Sequence, residues 1–241
     1  MKVPEYWGVI GFPVTHSLTP KIFQIVGEHI GFEATEVMFI EAKNIEEFMK
    51  ETNQIKGNFW LSVTSPLKHQ LHKKFNLEYI KEIGAINHII NYEGEWKAFN
   101  TDGLGFVKAI EYIDIEVKNS VLKMKGGGST ARSIAHQWSK CGGKLIIERG
   151  RRALGNGSWR KSITKNVNPD LSINLDVLPG INIDKNRIQD KNYVISYDEN
   201  YNNDDFAIIM LVAQHLEAWK IMVTDELKEE LPSIKQVLSR L

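Results

Sequence analysis

VLKMKGGGSTARSIAHQW, residues 121–138, carries the chain from a short apolar run through three glycines into a helix-like repeat. Val121–Met124 reads as a strand, the glycines as a loop, and the segment to about Cys141 as a helix. Gly142-Gly143 ends that helix and Lys144–Glu148 is the next strand, which makes a βαβ unit. Glycines let a backbone approach a pyrophosphate closely, and the open end of a helix supplies N–H donors and a favourable dipole. Gly126-x-Gly128-x-x-Ala131 fits the G-x-G-x-x-A form of a dinucleotide loop, with Gly127, Ser129 and Thr130 between. Three adjacent glycines also occur in plain turns, so the loop alone leaves both readings open.

The second strand of the unit ends at Glu148, twenty residues past Gly128. An acid there accepts hydrogen bonds from an adenosine ribose and favours NAD(H). Arg149, Arg151 and Arg152 follow at once and suit the 2′-phosphate of NADP(H). The two signals conflict.

Upstream, strand-like and helix-like runs alternate. Tyr6–Gly11, Glu36–Ile40 and Asn58–Val63 read as strands, with helices from Pro20 to about Gly31 and from Asn44 to Glu51. Ile86–Asn91 and Trp96–Phe99 read as a hairpin. Asp102–Ile113 has a helical spacing of apolar residues. Downstream, Arg151–Asp170 is expected to be irregular, Leu171–Val177 and Tyr193–Tyr197 strands, Asp205–Trp219 a helix and Thr224–Leu241 a last amphipathic helix. The fold class is α/β: a mostly parallel sheet domain followed by a Rossmann-like dinucleotide domain.

The 241 residues, 42% apolar and 25% charged, suit two such lobes and exclude wholesale disorder. No stretch approaches the roughly 20 apolar residues of a membrane span. The start, MKVPEYWGVIGFPV, lacks the apolar core of a signal peptide, and one cysteine, Cys141, excludes an internal disulfide or a cysteine-built zinc site. A cytoplasmic protein without metal is expected, as a monomer or homodimer. Thirty basic and thirty acidic groups argue against nucleic acid as a partner. The balance is uneven, however: residues 118–165 hold 12 basic groups against one acid, Glu148. Such a block suits an anion site of limited size.

Three polar clusters stand at predicted strand ends, where open α/β sheets place their sites. His16-Ser17-Leu18-Thr19-Pro20 offers two hydroxyls before a helix, fit to hold a carboxylate or simply to cap. Val63-Thr64-Ser65-Pro66-Leu67-Lys68 sets a lysine one turn past a strand. Gly84-Ala85-Ile86-Asn87 is followed by Asn100-Thr101-Asp102-Gly103, where Asp102 is also a plausible helix cap.

Together, HSLTP (16–20), VTSPLK (63–68), GAIN (84–87), NTDG (100–103), GGGSTAR (126–132) and MLVAQ (210–214) resemble the shikimate dehydrogenase family in order and spacing. The resemblance implies a two-lobed oxidoreductase of aromatic amino acid biosynthesis that reduces 3-dehydroshikimate with NADPH to shikimate. It implies a substrate domain of residues 1–101 plus 224–241 and a dinucleotide domain of residues 102–223. Ser17 and Thr19 are then expected at the substrate carboxylate, and Thr64, Lys68, Asn87, Asp102 and Gln214 at the ring oxygens. Lys68 and Asp102 are expected as the catalytic pair. The cofactor is expected on residues 126–131, Arg149, Arg151, Arg152 and Tyr201.

Departures gather in the cofactor half. Glu148 and Gly150 replace the family's Asn and Thr around the arginine, residues 174–181 lose a Thr-Pro, and residues 198–203 match a tyrosine motif only in part. Two alternatives follow: a quinate/shikimate dehydrogenase using NAD(H), supported by Glu148, and a ligand-binding paralogue with little turnover.

Overall fold

The computed structural model describes residues 4–32, 36–75, 81–177, 191–197 and 201–241. The chain divides into two compact units, residues 1–101 with 215–241 and residues 102–214.

The first unit holds a five-stranded sheet ordered β2-β1-β3-β4-β5, from β1 (Tyr6–Gly11), β2 (Glu36–Glu41), β3 (Phe59–Val63), β4 (His88–Tyr92) and β5 (Glu95–Phe99). β1 pairs in parallel with β2 and β3, while β3–β4 and β4–β5 are antiparallel. The sheet is therefore parallel in one half and a hairpin extension in the other, less parallel than the alternation suggested. All five residues of β3 are buried, because both faces are covered. Phe59, Leu61 and Val63 join Ile10 in a core with Phe48 of α2 (Ile45–Thr52) and Leu67 and Leu71 of α3 (Leu67–Phe75). Trp60, one residue out of phase, packs instead at a tilt against Phe23 of α1 (Thr19–His29), 4.5 Å between centroids, and edge-on against Trp219 at 4.9 Å.

The second unit opens with α4 (Asp102–Tyr112) and builds a four-stranded parallel sheet ordered β7-β6-β8-β9. Its strands are β6 (Val121–Lys125), β7 (Lys144–Glu148), β8 (Leu171–Asn174) and β9 (Asn192–Val194), with α5 (Ser129–Lys140) between the first two. Leu122, Met124, Leu145, Leu171, Ile173 and Tyr193 are buried on one face. Rings of α4, α5 and α6 (Phe206–Met222) pack there: Phe106 on Trp138 and Phe206, and Phe206 on Tyr193 at 4.1 Å. Lys123, Lys125, Glu148, Ser172 and Asn174 line the other face and are only half-buried. The stretch expected to be irregular contains one 3₁₀ turn, Ser158–Ser162, and a single parallel bridge from Ile163 to Leu145. Residues 164–170 then run straight to β8, too few for a crossover helix.

Two expectations need correction at the C-terminal end. The return to the first unit falls at His215, inside α6, not at Thr224. α6 is apolar on nearly every side and continues unbroken, so no linker marks the boundary. The last segment is not one helix but two, α7 (Asp225–Lys228) and α8 (Ile234–Leu238). Pro232 lacks the N–H that a continuing helix needs, and Ser233 with Gln236 forms a capping box that starts α8 afresh. α8 docks on α1, where Arg240 donates to the Ile25 carbonyl and pairs with Glu28.

Candidate active site

Three predicted residues converge at one end of the first sheet. β1 and β3 are parallel, so both deliver their following loops to the same edge. The Thr64 N–H donates to the Ile10 carbonyl, and the Phe12 N–H to that of Ser65, which locks the two loops together. A side chain at Gly11 would meet Thr64 Cγ2 at 2.4 Å, so the close approach requires glycine. The Thr64 carbonyl accepts from the Leu67 N–H and starts α3, which carries Lys68 on its first turn. The Lys68 carbonyl in turn accepts from the Ile86 N–H, and Val63 donates to the Asn87 carbonyl. Thr64, Lys68 and Asn87 are thus fixed by one backbone network.

Asn87 is buried, and its amide holds Thr101: Oδ1 accepts from the Thr101 N–H at 2.9 Å and Nδ2 donates to Thr101 Oγ1 at 3.1 Å. Asn87 therefore fixes the turn that leads into Asp102. Thr101 was not singled out from the sequence, although it sits inside NTDG.

Ser17 is half-buried and Thr19 is 4% exposed. The Thr19 N–H donates to Ser17 Oγ at 3.3 Å, a stretched version of the capping role. Thr19 Oγ1 lies 3.0 Å from Nε2 of His215, which is fully buried. His215 stands 5.2 Å from the ring of His88, another fully buried histidine whose Nδ1 accepts from Trp60 Nε1. Burial above all, with the nearby Lys68 ammonium, holds His88 well below the usual histidine range, so it stays neutral. Neither histidine carries a motif that sequence reasoning would single out.

On the second unit, Asp102 is the first residue of α4 and is almost fully buried. Thr130 Oγ1 donates to Asp102 Oδ2 at 3.1 Å, and the Gly103 N–H donates to Ser133 Oγ at 2.8 Å. A Cβ at Gly103 would stand 2.1 Å from the Ser133 carbonyl oxygen, and one at Gly105 2.5 Å from the Gln214 backbone. These two glycines let α4 lie against both α5 and α6, and they seat half-buried Gln214 beside α4. Thr130, expected at the cofactor, also bonds to Asp102.

The glycine loop has the form a phosphate needs. Gly126 has φ +112°, a side chain at Gly127 would strike the Ala153 carbonyl oxygen at 2.2 Å, and Gly128 is the extended N-cap of the 12-residue α5 with open space beside it. Past β7 the expectations change. Glu148 does not stand free for a ribose: Lys123 Nζ lies 2.9 Å and Lys125 Nζ 3.5 Å from its carboxylate oxygens. The Lys123 hydrogen bond, with both ammonium charges, lowers its pKa. Arg151 is also committed. Its N–H and Nε donate to the two Asp176 carboxylate oxygens at 2.7 and 3.0 Å. A Cβ at Gly150 would lie 2.8 Å from that carboxylate, so the glycine that departs from the family pattern makes room for the pair. Arg149 and Arg152 are exposed, and the charge of Arg152, after burial, lowers the pKa of half-buried Arg132. Tyr201 is half-buried; residues 198–200 and 178–181, which carry the other departures, lie outside the described residues.

Residues 9–89 match the family model of the shikimate dehydrogenase substrate binding domain. The matched stretch takes in Ser17, Thr19, Thr64, Lys68 and Asn87. The chain is 33% identical over 150 residues to a shikimate dehydrogenase (NADP(+)) of Pyrococcus abyssi, covering 60% of this chain and 54% of the relative. It is 32% identical over 152 residues to that of Aquifex aeolicus, covering 59% and 54%. The chain thus spans about half the length of the curated relatives it matches. The crystal structure of a shikimate 5-dehydrogenase from Thermus thermophilus in complex with shikimate is similar with a TM-score of 0.70 at 20% identity, covering 98% of this chain and 96% of that one. At that identity the likeness is one of fold, and the fold is that of the shikimate dehydrogenases. Among the described residues no helix is long and apolar enough to cross a membrane, and no cluster of side chains suits a metal ion.

Proposed function

We propose that this chain is a shikimate dehydrogenase that reduces 3-dehydroshikimate to shikimate with NADPH. The observation that carries the reading is the backbone network that fixes Thr64, Lys68 and Asn87 at the end of the first sheet, within the matched residues 9–89, with the Asn87 side chain holding Thr101 just beyond them. A substrate with one carboxylate and several hydroxyls needs short polar side chains at fixed places, and that network fixes them. Ser17 and Thr19 hold the carboxylate; Thr64, Asn87 and Gln214 hold ring oxygens. Reduction of a ketone develops negative charge on its oxygen. The Lys68 ammonium stabilises that charge and supplies the proton, and Asp102 orients the substrate hydroxyl.

The residues present fit a dinucleotide, which when bound supplies the hydride. Gly126, Gly127, Gly128 and the N-terminus of α5 receive its phosphates, and Arg149 and Arg152 its adenosine end. With Glu148 paired to two lysines and Arg151 to Asp176, the remaining exposed charge there is positive, which favours NADP(H) over NAD(H).

Initial rates for shikimate and for quinate, each with NADP and with NAD, test the proposal. The expected result is fastest turnover of shikimate with NADP. Faster quinate oxidation with NAD would make the chain a quinate/shikimate dehydrogenase. Retained shikimate binding with no turnover in any pairing would make it a ligand-binding paralogue.

A further inference from the structure

We propose that His215 is a positioning residue that fixes the Thr19 hydroxyl as a donor, so that residues 17–19 present two donors and select an ionised carboxylate. The inference rests on the reading of Ser17 and Thr19 as the carboxylate site. A carboxylate only accepts hydrogen bonds, whereas a hydroxyl both donates and accepts. A hydroxyl serves a carboxylate reliably when the protein already occupies its acceptor side. For Ser17 the backbone does this, because the Thr19 N–H donates to its Oγ.

For Thr19 the neighbour is a histidine, and the outcome turns on the tautomer. With the proton on Nε2, His215 donates across the 3.0 Å contact and the Thr19 O–H turns outward. With the proton on Nδ1, Thr19 donates inward and shows only lone pairs, which repel a carboxylate. Nε2–H is the intrinsically preferred neutral tautomer, and it is the one that matches Ser17. The β-branch of Thr19 restricts χ1, so the oxygen does not swing away from the ring. His215 and Thr19 are 196 positions apart in the chain, and both are buried between α1 and the first-unit part of α6. His88 illustrates the same device nearby: Trp60 donates to its Nδ1, which leaves its proton on Nε2.

The full-length protein labelled with 15N-histidine gives a direct reading by long-range 1H–15N correlation. The expected spectrum shows His215 protonated at Nε2; protonation at Nδ1 alone overturns the proposal. A binding series supplies the functional arm, with shikimate and its carboxamide as probes. Thr19→Val and His215→Phe should each weaken shikimate about tenfold, the usual scale for a hydrogen bond to a charged group. The double variant should lose no more than either single, and His215→Gln, whose amide N–H replaces the ring N–H, should recover most of the affinity. The carboxamide should be nearly indifferent to all of them. Equal losses for both probes in His215→Phe, or additive losses in the double variant, would reduce His215 to a packing residue and overturn the proposal. Ser17→Ala separates the layers. Unchanged shikimate affinity there removes the carboxylate site itself, whereas a loss there with none in His215→Phe overturns only the role of His215.

Discussion

At the scale of single residues, the proposed chemistry puts one positive charge at the end of a backbone network. Lys68 is half-buried on the first turn of α3, while its own carbonyl is tied to Ile86. Lys68→Ala should therefore leave the fold intact and cut kcat by about 10²–10⁴, the scale of a general acid–base, with a smaller change in KM for shikimate. Near-normal turnover in that variant would remove Lys68 from the mechanism. His88 makes a different prediction, in stability. Its pKa is depressed, so the folded protein keeps it neutral while the unfolded chain takes up a proton below about 6.5. The unfolded state then binds more protons, and stability must fall as pH drops below that value, by up to about 1.4 kcal/mol per pH unit from this group. Denaturant unfolding between pH 7.5 and 5.5 should show the fall, and His88→Gln, which keeps an acceptor for Trp60, should flatten it. An unchanged slope in that variant would show that another group carries the dependence.

At the scale of elements, Thr130 joins the start of α5 to the start of α4 through Asp102. Thr130→Val keeps the shape and the glycine loop but removes the donor to a buried carboxylate. It should lower kcat about tenfold, shift the pH profile of kcat/KM, and leave KM for NADPH nearly unchanged, since a lost hydrogen bond to a charge is worth roughly 1.5–3 kcal/mol. A rise confined to KM for NADPH would return Thr130 to the cofactor. The strands and first helices were legible because their signals are local. A nearly continuous apolar run marks β3, Asn44 caps α2 with its own side chain, and the glycines stop α5. α3 was not legible as a helix: its buried residues are only Leu67 and Leu71, too few for a periodic pattern. The ion pairs of Glu148 and Arg151 were not legible, for a physical reason. The spacing of the two residues fits a ribose and a phosphate, but their partners, Lys123, Lys125 and Asp176, come from the neighbouring strand β6 and from the loop after β8. Thr19 and His215 likewise meet only after folding.

At the scale of the whole molecule, a formal charge of zero conceals a basic middle, residues 118–165, that makes up much of the second unit. Pairing trims this excess unevenly: Lys123 and Lys125 share the one carboxylate of Glu148, and Arg151 pairs with Asp176, while Arg149 and Arg152 are exposed. A field of this kind acts most on the ligand with the most charge, and salt screens it over about 10 Å at 0.1 M. NADPH carries a 2′-phosphate that NADH lacks, so KM for NADPH should rise more steeply with ionic strength than KM for NADH. Arg149→Gln and Arg152→Gln should each raise KM for NADPH several-fold, leave that for NADH nearly unchanged, and flatten the salt dependence. Arg151→Gln should behave otherwise. Its guanidinium holds Asp176 and the loop after β8, so its loss should impair both cofactors alike through the shape of the loop. If Arg151→Gln alone discriminated between the two cofactors, the ion pair with Asp176 would have to open on binding, and the assignment of the 2′-phosphate to Arg149 and Arg152 would fail.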